Sequence, residues 1–402
     1  MRFAGIDIGS RSHVVALIDE RGVVLLRPIS LAASWAGHET LFGLLGSPHD
    51  LLIAMEATGH YSRNLFSALA DHGYAVALIN PLRTRRLAEE DLMRAKTDSV
   101  DALAIARFAA QKRPALTEVD RALDQLRELV CFYNRILQDY NARLRQLYRL
   151  VNLCFPEFLG PVRSLDSQRA ATLLREYPTS RAFAEASIDT LACLRLHSRR
   201  RVGAKLAHTL IEAARQSVGR HDGPAYRSEV QLTCTDLAIL RERATAVGTE
   251  IETFVATHPV GSLLKTIDGI SAITVGRILA AVGDPGRLRS AGALASYVGV
   301  VPGTSQSGFR RPNHSRLSPL GNPHLRHALY MATFAAVQRN PWLGAYYQRL
   351  KATGKPPKVA LIATVRKLLC AVYAVARKRR PFVCPPTPAA AAAGPQSNRD
   401  IT

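Results

Sequence analysis

The stretch MRFAGIDIGSRSHVVALIDERGVVLLRPI, Met1 to Ile29, decides the fold of the first part of the chain. Its short apolar runs are separated by turn signals at Gly9 to Ser12 and Glu20 to Gly22, so it reads as two or three short strands in a meander. Next come a helical pattern around Ala33 to Leu45, the apolar strand LLIAME (51–56) and a helix from about His60 to Asp71. The strand YAVALIN (74–80) is closed by Pro81, and helix continues through Ala110. Strands first and α/β alternation afterwards predict a mixed sheet covered by helices, with functional side chains near strand ends.

Acids stand where such strands disfavour them. Asp7 alternates with Ile6 and Ile8 and so points to the opposite face; Glu56 ends LLIAME. Burying an unpaired carboxylate costs several kcal/mol, which suggests a compensating cation. The segment KTDSVDA adds Asp98 and Asp101, three residues apart on one helix face. Four carboxylates from two strands and a helix suit a pair of Mg²⁺ ions about 4 Å apart, with Mn²⁺ as the alternative, and hence phosphodiester cleavage. The plainer alternative is that Asp7 caps a turn and that Asp98 and Asp101 are acids favoured by a helix N-terminus.

The charge distribution names the substrate class. Of 402 residues, 53 are Lys or Arg and 32 are Asp or Glu, giving +21 overall. Residues 1–101 carry a net of −2 and the remainder +23; from Pro285 to Arg399 there is no acid at all. A field of one sign over such a length attracts a polyanion, so nucleic acid is the expected partner. Arg310, Arg311, Arg316, Arg326 and Lys367 are the candidate phosphate contacts. Six cysteines without a CxxC pair, and no apolar leader after Met1, lead us to expect a reducing, cytoplasmic location. No run of 18 apolar residues occurs, so no membrane partner is expected.

Between the two charge regimes, Leu126, Val130, Tyr133, Leu137, Tyr140, Leu144, Leu147 and Val151 alternate at spacings of four and three. This heptad seam needs a partner helix. A weaker seam, Leu237 to Phe254, could supply one within the chain or across a homo-oligomer, dimer or tetramer. Further on, LLKTIDGISAITVGRILAAVGD (263–284) holds two short helical patterns around Gly269 and is similar to a helix-hairpin-helix, with Ser271 in place of its second glycine. The acid-poor stretch after it contains Ser305, Ser307, Ser315 and Ser318, any of which could attack phosphorus if deprotonated beside cations. The helix beginning near Pro323 could lie along a nucleic-acid backbone, with Leu325, Leu329 and Phe334 packed on its other face. The boundaries expected are 1–113 for the sheet domain, 119–258 for a helical coiled-coil spacer, 259–380 for a mostly helical C-terminal domain and 381–402 for a disordered tail.

GIDIGS, MEATGH, KTDSVDALAIA, IDGISAITVGRILAAVGD, LASYVGVVPGTSQSG and GNPHLRHALYMA together resemble, in order, the IS110 family of insertion-sequence transposases. The resemblance covers Arg2 to about Leu369. It implies a RuvC-like, RNase H-fold first domain in which Asp7, Glu56, Asp98 and Asp101 hold metal, and a C-terminal transposase domain whose nucleophile is Ser307. It implies double-stranded DNA as substrate, strand cutting and rejoining, and a structured non-coding RNA as guide. Two departures, Ser318 before the GN pair and Ser271, bear on local contacts. The rival readings are a metal-dependent nuclease or Holliday-junction resolvase without serine chemistry, and an inactive architectural nucleic-acid-binding protein.

Overall fold

A computed structural model describes residues 1–57, 59–80, 98–196, 201–301 and 320–385, the side chains of 98–100 excepted. The chain divides into two compact units, Met1–Arg121 and Ala122–Thr402.

The first unit is a five-stranded sheet in the order β3-β2-β1-β4-β5. Strands β1 (Arg2–Ile8), β2 (Ser12–Asp19) and β3 (Val24–Ala32) form the expected antiparallel meander. β4 (Leu51–Glu56) and β5 (Ala75–Ile79) run parallel to β1, reached through helices α1 (Trp35–Leu45) and α2 (Tyr61–Asp71). Parallel pairing requires crossovers of this kind, and the helices cover a face as they cross.

The two faces separate by residue parity. Ala4, Ile6, Ile53 and Met55 pack with Leu41 and Leu45 of α1 and Leu65, Phe66 and Leu69 of α2. Phe3, Leu52 and Ala54 face the other way, onto α3 (Asp98–Lys112), which buries Ile105, Ala106, Phe108 and Ala109 against them. Full burial of Ile105 and Phe108 contributes about 2–3 kcal/mol each. α3 can lie so close because β1 presents Gly5 beneath it. A Cβ on Gly5 would stand 2.1 Å from the Ala102 carbonyl oxygen and 2.3 Å from the Ala106 amide nitrogen.

The second unit is helical. α4 (Arg121–Cys154) and α5 (Pro224–Thr257) are 34 residues each and run antiparallel. Leu126 and Val130 share one core with Val247, Ile251 and Val255; Leu147, Leu150 and Val151 share a second with Val230, Cys234 and Leu237. Arg143 to Asp236 at 3.2 Å and Arg149 to Glu229 at 2.8 Å are ion pairs between the two helices consistent with that register. The heptad seam therefore finds a partner inside the chain, and Leu126, Val130, Leu147 and Val151 are already buried there. Short helices between Pro156 and Arg215 close the second core around Phe155, Phe158 and Phe183.

The first core continues into α6 (Ala272–Val282), α7 (Ala291–Val298), α8 (Pro323–Arg339), α9 (Pro341–Ala352) and α10 (Pro357–Lys378). By length and composition α10 could cross a membrane; here Leu361, Val365, Leu368, Leu369 and Val372 are buried among its neighbours, the setting of a core helix. The chain is still held beyond Pro381: the Phe382 amide donates to Thr266 Oγ1 at 2.8 Å and the Phe382 ring lies 5.9 Å from Trp342. The remainder of the tail, 386–402, lies outside the described residues.

Candidate active site

Asp7 shares the face of Phe3 and Gly5, and Glu56 that of Leu52 and Ala54, so both acids stand on the α3 side of the sheet. β1 and β4 are neighbours in register up to Ile6 and Met55. Asp7 and Glu56 are each the next residue, at the carboxyl ends of strands about 4.8 Å apart. Both are half-buried.

The direction of α3 follows from what its far end touches. Arg113, just past the helix, lies 5.8 Å from the Phe3 ring and 3.9 Å from Glu20, which also binds the amino terminus of Met1. The end of α3 thus sits over the start of β1, and its beginning, with Asp98 and Asp101, lies toward the Asp7 end. Asp101, half-buried, directly precedes Ala102, the residue seated on Gly5. Asp98 opens the helix; its side chain is outside the described residues. Among the described residues, no three acidic, His or Cys side chains are drawn together as a ready cation cage. The donor set itself, all carboxylate oxygens, is the chemistry hard divalent cations take.

Sequence reading passed over two residues at this end of the sheet. Arg11, exposed in the β1–β2 turn, holds that turn in place through its carbonyl, which accepts from Ala33 at 2.8 Å. His60, exposed, precedes α2, and its ring lies 4.0 Å from that of Tyr61, tilted by 38°. Both follow an acid by four residues, in GIDIGSR and MEATGH; that offset was the available signal.

In the second unit, Ser307, Arg310, Arg311 and Arg316 lie outside the described residues. The anchors of their segment are described. The Asn322 amide donates to the Tyr297 carbonyl at 2.9 Å, and Gly299 and Gly321 meet so closely that a Cβ on Gly321 would be 2.6 Å from the Gly299 Cα. The described residues on either side of 302–319 therefore meet between α7 and α8. Arg326 is half-buried there and donates to the Gly299 carbonyl at 3.2 Å, so its guanidinium helps clamp the anchors. Lys367 lies 4.7 Å from the Trp342 ring.

One expectation changes. Phe334 was expected on the packed side of α8 with Leu325 and Leu329; those two are buried, but Phe334 is 55% exposed, because α8 turns 100° per residue and puts it outside the stripe. The hairpin-like segment, for which the sequence leaves phosphate binding and packing both open, is packed against α8. Gly269, at φ +89°, abuts Ala336 of α8, and only a glycine tolerates both that angle and that approach. Ser271 caps α6, accepting from Thr274, and Arg277 turns inward to donate to Asn134 at 2.8 Å beside the Tyr133 ring. Burial lowers the Arg277 pKa below its usual range.

A transposase family model for IS110 matches residues 4–156, and a second, described as transposase IS116/IS110/IS902 family, matches 261–348; together they cover more than half of the chain. The chain belongs to the IS110 family of transposases. The first match contains Asp7, Glu56, Asp98 and Asp101, and the second contains the segment with Ser307. Among relatives, the chain is 26% identical over 386 residues to the insertion element IS110 uncharacterized 43.6 kDa protein of Streptomyces coelicolor, covering 93% of this chain and 94% of the relative. It is 27% identical over 333 residues to the pilin gene-inverting protein of Moraxella bovis, covering 83% and 82%. It is 26% identical over 391 residues to the insertion element IS116 uncharacterized 44.8 kDa protein of Streptomyces clavuligerus, covering 96% of each. The IS110 family assignment carries a general transposase or recombinase activity with it.

Proposed function

We propose that this chain cuts and rejoins DNA strands, using Asp7, Glu56, Asp98 and Asp101 to hold divalent metal and Ser307 as nucleophile. The observation that carries the reading is the convergence of Asp7, Glu56 and the Asp101 end of α3 on one face and one end of the sheet. The strand order, an antiparallel meander extended by parallel strands under helices on both faces, supports an RNase H-like reading of the first unit. When bound, Mg²⁺ would polarise the scissile phosphate and favour an oxygen nucleophile.

The chain's own part in the reaction is orientation and proton handling. The four carboxylates set where the phosphate sits, and exposed Arg11 offers a cation to its non-bridging oxygens. Ser307 Oγ forms the bond to phosphorus, its proton leaves to a base, and the displaced DNA oxygen takes up a proton. Rejoining reverses these steps with a different strand oxygen. The basic second unit supplies counterions for the DNA and for a structured non-coding RNA that reads sequence by pairing. The site of action is the cytoplasm, at the nucleoid.

A homo-oligomer would need a surface other than the buried seam. Phe132, Tyr148, Leu232 and Ile239 are exposed on α4 and α5 and are the available apolar positions. Sedimentation of the chain on DNA tests this, and a stable monomer refutes it.

The decisive experiment is co-purification with nucleic acid, sequencing of what is bound, and denaturing electrophoresis for a DNA strand linked to protein. Ser307→Ala should abolish the adduct, and Asp7→Asn should abolish cleavage. Cleavage that survives Ser307→Ala without any adduct would instead support a metal-dependent nuclease. Binding without scission in any divalent metal would leave the architectural reading.

A further inference from the structure

The second unit contains a cleft whose described lining includes none of the four acids. It has a volume of about 430 Å³ and lies between α9, α10 and the chain just past α10. Trp342 and Phe382 supply its aromatic surface, with ring centres 5.9 Å apart and planes tilted by 51°. Lys367, Lys378 and Arg380 stand on it as cations. The Lys367 ammonium rests on the Trp342 face at 4.7 Å, with Tyr346 at 5.5 Å. Among the described residues, no ion pair holds any of the three. The family match that includes Trp342 ends at 348, so the three cations and Phe382 lie beyond it.

A flat apolar floor beside several cations fits a ligand with a planar ring and a negative charge joined to it. A nucleotide has both, and each base offers a π-face whatever its identity. A paired base hides its faces in the stack, so the occupant must be unpaired. Among the described residues, none of the lining side chains carries a carboxylate, amide or hydroxyl, so they offer no side-chain acceptor to a ribose 2′-hydroxyl. Burying that group here would leave it poorly satisfied.

We propose that this cleft binds one unpaired nucleotide of single-stranded DNA. The two rings are too close and too tilted to sandwich a base. The base instead takes the face of Trp342 that Lys367 covers, and the displaced ammonium moves to the phosphate, joined by Lys378 and Arg380. The exchange replaces a cation–π contact by base stacking and a charge-assisted hydrogen bond. The site needs neither metal nor serine and stands independently of the strand-exchange chemistry.

The chain has two tryptophans, Trp35 and Trp342, and Trp35 is 79% exposed at the start of α1 in the other unit. Trp35→Phe therefore leaves Trp342 as the single indole reporter. Titration of full-length W35F with a short oligothymidylate should quench its emission. Phe382→Ala and Lys367→Ala, each in that background, should weaken binding roughly tenfold. Neutralising a single phosphate predicts a shallow slope of about −0.7 for log affinity against log salt. Adding Ser307→Ala should leave the quench unchanged, so failure of the serine chemistry and failure of this proposal are told apart. The proposal is overturned by absence of quenching, by equal quenching with a duplex or with inorganic phosphate alone, or by equal or tighter binding of the matching oligoribonucleotide. It is also overturned if Lys367→Ala, Lys378→Ala and Arg380→Ala all bind as the parent does.

Discussion

Replacing Gly5 with alanine tests whether the seating of α3 on β1 builds the acidic site. The added Cβ would sit 2.1 Å from the Ala102 oxygen and 2.3 Å from the Ala106 nitrogen, where ordinary contact begins at 3.4 Å. Both obstacles are helix backbone, which cannot rotate aside as a side chain would. α3 must retreat by about 1 Å, and such overpacking costs about 1–3 kcal/mol. With rigid obstacles we expect the upper end. About 3 kcal/mol raises the open population of α3 roughly 150-fold, which hydrogen exchange of the Asp98–Lys112 amides reads directly. In the proposed metal site the same displacement shifts Asp101 relative to Asp7 and Glu56, and a misplacement of about 1 Å costs on the order of 100-fold in turnover. Gly43→Ala is the control: it lies within α1, a Cβ there meets nothing within 4 Å, and the change should stabilise by about 0.5–1 kcal/mol. Wild-type exchange and wild-type cleavage in Gly5→Ala would refute the argument.

Other outcomes follow from the same structure. His13 is 5% exposed, its Nδ1 lacks a hydrogen-bond partner among the described residues, and it lies 6.0 Å from the His38 ring. Burial first, and His38 second, lower its pKa below 6.5, so the unfolded chain binds more protons. Its stabilising contribution is complete above 6.5 and is lost as pH falls toward the folded pKa; melting of the first unit should drop over that range, and His13→Leu should flatten the dependence. Burial pushes the Cys154 thiol up to about 11 and the Cys234 thiol up to about 12. A disulfide reagent should therefore modify Cys131, Cys193, Cys370 and Cys384 in the native protein and reach the other two only on unfolding; six fast thiols would contradict the buried core. Arg326→Ala removes the clamp on Gly299 and should raise proteolysis at the Gly299 and Gly321 anchors, an effect absent in His324→Ala, whose side chain is exposed.

Much of the sheet was legible because its signals are local. Turn residues at Gly9–Ser12 and Glu20–Gly22 fix the meander, and alternation along β1 already put Asp7 opposite Ile6 and Ile8. The acids could be named from residue type and place, since a carboxylate in a buried strand is costly wherever it occurs. Heptad spacing announced two long helices that want partners. It could not say whose, because an apolar stripe is complementary to any other of the same period; Val247 and Ile251 of α5, brought back by an intervening segment, settled that within the chain.

What only the tertiary structure decided depends on contacts between residues far apart in the chain. Gly5 reads as an unremarked residue of a strand until α3 is laid upon it. The polarity of that helix, which puts its Asp101 end toward the strand ends that carry Asp7 and Glu56, comes from Arg113 lying beside Phe3 and Glu20. Gly269 and Ser271 read by spacing alone as a hairpin; the packing of Ala336 against the turn and the cap that Ser271 makes to Thr274 come from the tertiary structure. Trp342 and Phe382 are separated by forty residues of sequence and meet because α10 returns the chain across the unit. Sequence by itself determined the elements, their amphipathic faces and the chemical types at hand, since these follow from backbone period and side-chain polarity. The long-range packing decided which of those groups share a site.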